Sequence, residues 1–452
     1  MESHHSGALN GKISLMKEQF LHFVWQYRRF NHSGLSTTDG LPVEILKPGK
    51  LNLHDGPDFL NAMIRIGETI WAGHVEIHVK SSDWIKHGHS GDPLYNNVVL
   101  HVVYQNDLEY NIARCQTLEL CGLIPRSIYN RYLDLMESPE ILPCHHLLKE
   151  ADLSTLNIWK ERLLVERMER KVSNILALLD YYQQDWEQVS FIWLMRYFGS
   201  GINMDSFQEL GDRLSVTNIR KIADDPDQLA ALLFGTAGML KDQWIDLYPN
   251  LLKQHFDHLS HKWNIPSMPL TSWKWKHTRP ATFPSIRLAQ LAAVLPLLFP
   301  LFEKLLTPEK LEMALTGVSP HHYWDTHYRF YEPSMFKTKP LTKGFIHHLQ
   351  INVSTPLMLA LARYNDDTTL LQDALSFLHT LPRENNRYTR VMSENGLANE
   401  HAADSQSLME LKTSYCDRKQ CLKCTIGNKI LQQKDNNEGK AVLLLEEDAA
   451  YI

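Results

Sequence analysis

Residues 57–80 read PDFLNAMIRIGETIWAGHVEIHVK. Successive side chains of an extended strand leave on opposite faces. In the closing run, Val75, Ile77 and Val79 therefore share one face, which suits a core. His74, Glu76, His78 and Lys80 form a row on the other face. Four ionisable groups in one row are costly to bury unless they have partners. The row is therefore either the solvent face of a half-exposed sheet or a site. Asn61–Ile66 and Ile70–Lys80, separated by Gly67-Glu68, predict a hairpin. Asp58, after Pro57, stands at the hairpin's entrance.

Working outward, 452 residues with 44% hydrophobic and 10% aromatic content fit a globular chain of two or three domains. The net charge of −6 gives no global nucleic-acid signature, so a nucleic-acid partner would need a local basic groove. Six cysteines at this length do not describe a secreted disulfide scaffold. The opening MESHHSGALNGK lacks a signal-peptide apolar stretch. Leu288–Phe302, the most apolar stretch, is too short for a bilayer and contains Pro296 and Pro300. The expected location is the cytoplasm, with no membrane partner.

Helical spacing runs through 14–31, where Leu15, Phe20, Phe23 and Tyr27 share much of one face. Val43–Leu46, Val98–Tyr104 and Thr117–Leu120 read as further strands, with His101 inside the second. Leu156 to about Tyr182 is amphipathic. Further helices are expected at Glu187–Phe198, Met204–Leu214, Asp227–Phe234, Tyr248–Trp263, Ile286–Leu306, Pro308–Leu315 and Pro356–Leu381. Gly235-Thr236-Ala237-Gly238 reads as a turn or close helix contact rather than a phosphate loop. The expected division is a flexible N-terminus (1–13), an α/β domain (14–148) and a helical domain (149–270). A linker (271–285), a second helical region (286–410), a cysteine knuckle (411–430) and a polar, acidic tail (431–452) follow. The fold class is α+β, with an N-terminal mixed sheet and a large, mainly helical remainder. Walker, Rossmann and Gly-x-Ser-x-Gly patterns are absent, which leaves ATPase, dehydrogenase and serine hydrolase readings without support.

The blocks VEIHVKSSDW (75–84), HGH (87–89), DPLYNNVVLHVVY (92–104), RPATFPSIRLAQLA (279–292) and YCDRKQCLKCTIGN (415–428) resemble the signature of a bacterial family catalogued as a domain of unknown function. The acid at 58 and the Glu-x-His-x-Lys of 76–80 also resemble a variant of the PD-(D/E)XK nuclease pattern, where Glu-x-Lys is usual. That second resemblance implies a metal-dependent phosphodiesterase acting on DNA or RNA. Asp58 and Glu76 would hold magnesium or manganese, both partial to carboxylate oxygens. His78 or Lys80 would orient the nucleophile or steady transition-state charge. Glu18 on the first helix would be an outer acid, and His74 would sit near the rim.

Asp83, His87, His89, Asp92 and His101 form a second cluster. His-x-His suits zinc, iron or manganese. These groups either make a separate site for a metal hydrolase of small substrates, or close over the Glu76 row, or are ordinary loop histidines. Trp84 reads as a packing anchor. A third function class is a non-catalytic binding or scaffold protein with a degenerate nuclease core.

Cys416-x4-Cys421-x2-Cys424 matches the spacing of the first three cysteines of plant-type ferredoxins, and also suits zinc. Three ligands are incomplete. Cys144, in Pro143-Cys144-His145-His146, or a histidine would complete the set from a distance. Trp273-Lys274-Trp275-Lys276-His277 with Arg279 reads as a packed loop with snorkelling lysines, or as a single-strand nucleic-acid platform.

Overall fold

A computed structural model describes residues 16–108, 113, 115–150, 156–240, 245–276, 278–433 and 443. The expected flexible N-terminus (1–13), most of the tail from 431 and His277 lie outside the described residues. The chain divides into two compact units, 1–159 with 411–452, and 160–410. The cysteine knuckle thus belongs to the same unit as the N-terminal sheet.

The first unit is α/β. Helix α1 (Glu18–Gln26) precedes strands β1 (Val43–Lys47), β2 (Lys50–Leu51), β3 (Phe59–Ile66) and β4 (Thr69–Lys80). The short helix α2 (Asp83–Lys86), strands β5 (Val98–Gln105) and β6 (Gln116–Glu119), and helix α3 (Arg126–Glu137) follow. The six strands form one mixed sheet in the order β1-β3-β4-β5-β6, with β2 also on β3. The β3–β4 hairpin is antiparallel, whereas β4–β5 and β5–β6 are parallel. A parallel pair needs a crossover. Here it is the segment of α2 and short 3-10 turns, which carries the histidine-rich loop directly over the end of β4.

Val75 and Ile77 are buried as the alternation requires, but so are Glu76 and His78. The polar row is therefore not a solvent face; α1 packs on β4. The expected 14–31 helix is shorter because Tyr27 leaves helical geometry and Arg28 has φ 50°. Apolar positions of α1 pack inward, Phe20 meeting the rings of Tyr129 and Tyr132 on α3. Glu18 and His22, one turn apart, occupy another side of the helix.

The second unit is helical apart from a two-stranded ribbon, His327–Arg329 with Glu332–Pro333. It opens with most of α4 (Leu156–Tyr181) and continues through α5 (Trp186–Phe198), α6 (Met204–Asp212), α7 (Val216–Lys221), α8 (Pro226–Thr236), α9 (Leu247–Trp263) and α10 (Pro284–Leu298). The expected 286–306 helix breaks at Phe299-Pro300, and the 356–381 helix breaks around Asp366, whose φ is 53°. Helices at Lys343–Leu349, Arg387–Glu394 and Ala402–Glu410 were not anticipated. One large apolar core joins these helices.

A polar seam crosses that core. Lys171 Nζ donates to Asn352 Oδ1 at 2.8 Å and Gln406 Oε1 at 2.9 Å. Burial pushes its pKa well below the usual lysine range. Asn352 sits in a π-helical turn, 350–354, and its carbonyl accepts from Trp193 Nε1 at 3.0 Å. Gly235, within the Gly-Thr-Ala-Gly run, permits close packing of α8 on α9, since a Cβ there would lie 2.0 Å from the Phe256 ring. Gly235→Val is expected to destabilise the protein by about 3 kcal/mol through overpacking. Chemical denaturation measures this, and a change below about 0.5 kcal/mol would refute the close contact.

Candidate functional site

The antiparallel register sets the site. Phe59 pairs with Val75, so Asp58 stands beside Glu76. The Asp58 N–H donates to Glu76 Oε2 at 3.0 Å, and the Ile77 N–H donates to Asp58 Oδ2 at 3.0 Å. Each carboxylate is thus held by the other residue's strand. Further along, the register shifts between Phe59 and Ala62, where Asn61 has φ 58°. The Asn61 N–H there donates to His74 Nδ1 at 3.3 Å. A second shift lies between His74 and Val75 on the β5 side. Bulges re-aim side chains, and both flank the site. Gly73 permits the close approach of the segment before β5, because a Cβ would lie 2.5 Å from the Asn97 carbonyl oxygen.

Imidazoles surround this pair. His89 Nε2 is 3.2 Å and His78 Nε2 3.5 Å from Glu76 Oε1. His22 Nε2 approaches Asp58 Oδ2 at 3.2 Å from α1. His78 Nε2 meets His87 Nδ1 at 3.1 Å, while His78 Nδ1 meets His101 Nε2 at 2.9 Å. His101 is aligned with Glu76 across the parallel β4–β5 ladder. Among the described residues, His78, His87 and His89 form the one set of three candidate donors whose ligand atoms all lie within 4.8 Å of one another. The Nε2 atoms of His22 and His89 are buried without a directed hydrogen bond. Trp84 walls the cluster, its ring edge-on to His78 and His89, with Nε1 donating to Ser90 Oγ at 3.1 Å. Tyr95 stacks on His89 at 3.8 Å between ring centroids.

Burial, then the nearby Asp58 charge, pushes the Glu76 carboxyl up to about 9. Burial and its histidine neighbours drive His78 far below the usual imidazole range, and burial followed by His89 brings His101 down to about 4. His89 is lowered by burial and by His87. Glu18 is raised chiefly by burial, with Asp58 contributing, while His87 and His22 act against the rise. In the absence of metal, these shifts favour the protonated form of Glu76 and the neutral forms of His78, His89 and His101. Neutral imidazole is the form that binds metal ions.

The structure thus brings Asp58, Glu76, His78, His87 and His89 into one cluster, with His101 behind His78. The row and the loop are not two sites. His22 was missed by sequence reasoning; its one-turn spacing from Glu18 was the available signal. His74 lies at the inner end of the row and bonds the β3 backbone. Lys80 is the half-buried outer end, paired with Gln105, and its N–H donates to Asp83 Oδ2 at 3.1 Å. The charges acting most strongly on Glu76 and His78 come from Asp58, Glu18 and the histidines, not from Lys80. Asp92 caps the turn before Tyr95, accepting from the Leu94 N–H at 2.9 Å. Trp273 is buried and donates to the Ala237 carbonyl at 2.7 Å, which removes it as a base-stacking platform. Cys144 lies with Cys416, Cys421 and Cys424 around one pocket.

The sequence matches the family model "Protein of unknown function (DUF2851)" over residues 18–387, and the chain belongs to that family. The match includes the whole Asp58–His101 site and ends before the cysteine knuckle. No curated protein and no solved structure matches the chain. Among the described residues, no helix is long and apolar enough to cross a membrane.

Asp107 secures the loop that delivers the histidines. Its carboxylate accepts from Ser81 Oγ and the Ser82 N–H at 2.9 Å each, and from Ser82 Oγ at 2.8 Å. Burial alone would raise its pKa, but these hydrogen bonds hold it below the usual range. Asp107→Ala is expected to cost about 1 kcal/mol, because hydrogen bonds at an exposed carboxylate are lost and water takes up part of their role. Hydrogen exchange should show faster opening around 81–91, and unchanged exchange there would count against the anchoring role.

Proposed function

We propose that the Asp58–Glu76–histidine cluster is a metal-dependent hydrolytic centre acting on phosphodiester bonds of nucleic acid. The observation that carries this reading is Asp58 beside Glu76 on an antiparallel hairpin, with His78 two residues on. Polar groups from α1 and the loop after β4 cover the same spot. The donor set fits a divalent cation. Carboxylate oxygens and neutral imidazoles are the ligands of manganese and zinc, and the mixture favours these over magnesium. The metal, when bound, would lower the pKa of a bound water and polarise the phosphate. Asp58, Glu76, His87 and His89 would hold it. His78 takes the position a lysine has in the PD-(D/E)XK pattern, and its contact with His101 fixes the ring. Glu18 and His22 would place a proton acceptor and donor at the rim. Lys80, at the outer end of the row, would steady substrate charge.

The close spacing of His78, His87 and His89 favours a second reading, a histidine-centred metal hydrolase of small substrates. Labelled single- and double-stranded DNA and RNA, incubated with manganese, magnesium or zinc, separate the two. Cleavage that requires metal and falls at least about 100-fold in Glu76→Ala supports nuclease chemistry. A chromogenic phosphodiester cut by the wild type, with nucleic acids left intact, supports the second reading. Absence of bound metal by equilibrium dialysis overturns both, leaving the binding or scaffold reading.

A further inference from the structure

Two segments far apart in sequence meet in the first unit. Cys144 precedes the turn His145–Glu150, and Cys416, Cys421 and Cys424 lead into the helix Thr425–Gln432. All four are buried, and none is in a disulfide. They line one pocket, walled by Leu135, Leu142, Leu411, Tyr415 and Ile426. Cys144 is within electrostatic reach of Cys421 and Cys424. Isolated buried thiols need no such convergence, and four of them at one apolar pocket have the composition of a ligand set.

Burial is the largest influence on the four thiols and raises the pKa of each, while several neighbouring groups act against that rise. The N–H groups of Ile426 and Gly427 and the indole of Trp159 lie close enough to the Cys424 sulfur to favour its thiolate against the effect of burial. The positive charges of Lys412 and Lys419 act on Cys416 and Cys421 respectively. Lys419 also donates to the Ser138 carbonyl, so its stem is anchored beside the pocket. Gly427 is needed for the fold of the knuckle, since a Cβ there would lie 2.2 Å from the Cys421 carbonyl oxygen.

Sulfur spacing decides between ligands. One zinc ion with Zn–S bonds of about 2.3 Å draws four sulfurs to within about 3.8 Å of each other. Among the described residues, no three cysteine sulfurs lie within 4.8 Å of one another. A cluster places each cysteine on a separate iron corner or shares them between two irons, and so accepts wider spacing. We propose that Cys144, Cys416, Cys421 and Cys424 bind an iron–sulfur cluster that staples the segment before α4 to the C-terminal knuckle. The inference is independent of the hydrolytic site, which uses none of these residues.

The test is the full chain purified without oxygen, then supplied with iron and sulfide. The expected result is equal iron and acid-labile sulfide, about two or four of each per chain. A broad visible charge-transfer band that bleaches on reduction should accompany them. Cys144→Ser should lose most of the iron, while Cys121→Ser keeps it. Circular dichroism shows whether Cys144→Ser has folded. If it has not, the iron-to-sulfide ratio and spectrum of the wild type still decide the matter. Zinc without sulfide, a disulfide among the four, no metal at all, or a folded Cys144→Ser with a full cluster would each overturn the proposal.

Discussion

The reciprocal hold between Asp58 and Glu76 is the interaction on which the site depends. Each residue uses its carboxylate to accept an N–H from the other residue's strand. Two carboxylates side by side repel when both are ionised, and burial adds to the cost. The fold meets that cost in two ways. Backbone donors aim at the oxygens, and burial with the Asp58 charge shifts Glu76 towards its protonated form. Phe59–Val75 is the last pair of the β3–β4 ladder, so the Asp58 and Ile77 N–H groups lie beyond it and turn to the carboxylates instead of ladder carbonyls.

The surrounding histidines follow from the same constraint. A cationic imidazole would neutralise the carboxylates, but several crowded imidazoles cannot all be charged. His78, touched by His101 and His87, is driven furthest from protonation. The outcome is a buried, largely uncharged set of lone pairs facing two oxygens. Such an assembly would gain more from a multivalent cation than from a proton, which is the physical ground for proposing a metal centre there.

Much of the N-terminal sheet was legible because its strands alternate cleanly and Gly67-Glu68 marks the hairpin. Alternation also told which residues share the row, but not that the row is covered. Burial of Glu76 and His78 depends on where α1 and the loop after β4 come to rest, and periodicity within a strand carries no such information. The same limit hid His22: its helix was visible, yet the side of α1 facing β4 is set by the packing of Phe20 on α3. The two candidate clusters read separately from the sequence are one place, because the parallel β4–β5 crossover is too short to carry its histidines elsewhere. In the second unit, helices were found where apolar spacing was strong. They were missed at Ala402–Glu410, whose buried side chains are largely Ser, Gln, Asp and Glu. A helix buried by polar contacts gives no apolar stripe to read.

Cys144 shows the remaining kind of information that a single sequence withholds. Spacing groups Cys416, Cys421 and Cys424 because a few residues of chain keep them together whatever the rest of the fold does. Their distant partner is fixed only by tertiary packing, which carries Leu135 and Leu142 to the same pocket wall as Leu411 and Ile426. The two sites of this unit therefore differ in how they are assembled. The carboxylate–histidine site is built on a sheet ladder whose hydrogen bonds already define its geometry. The thiol site joins two segments outside the sheet, across an apolar pocket in which no two of the four cysteines form a disulfide. A site of the first kind can keep its shape without a ligand, whereas one of the second kind would have the proposed ligand as its strongest link.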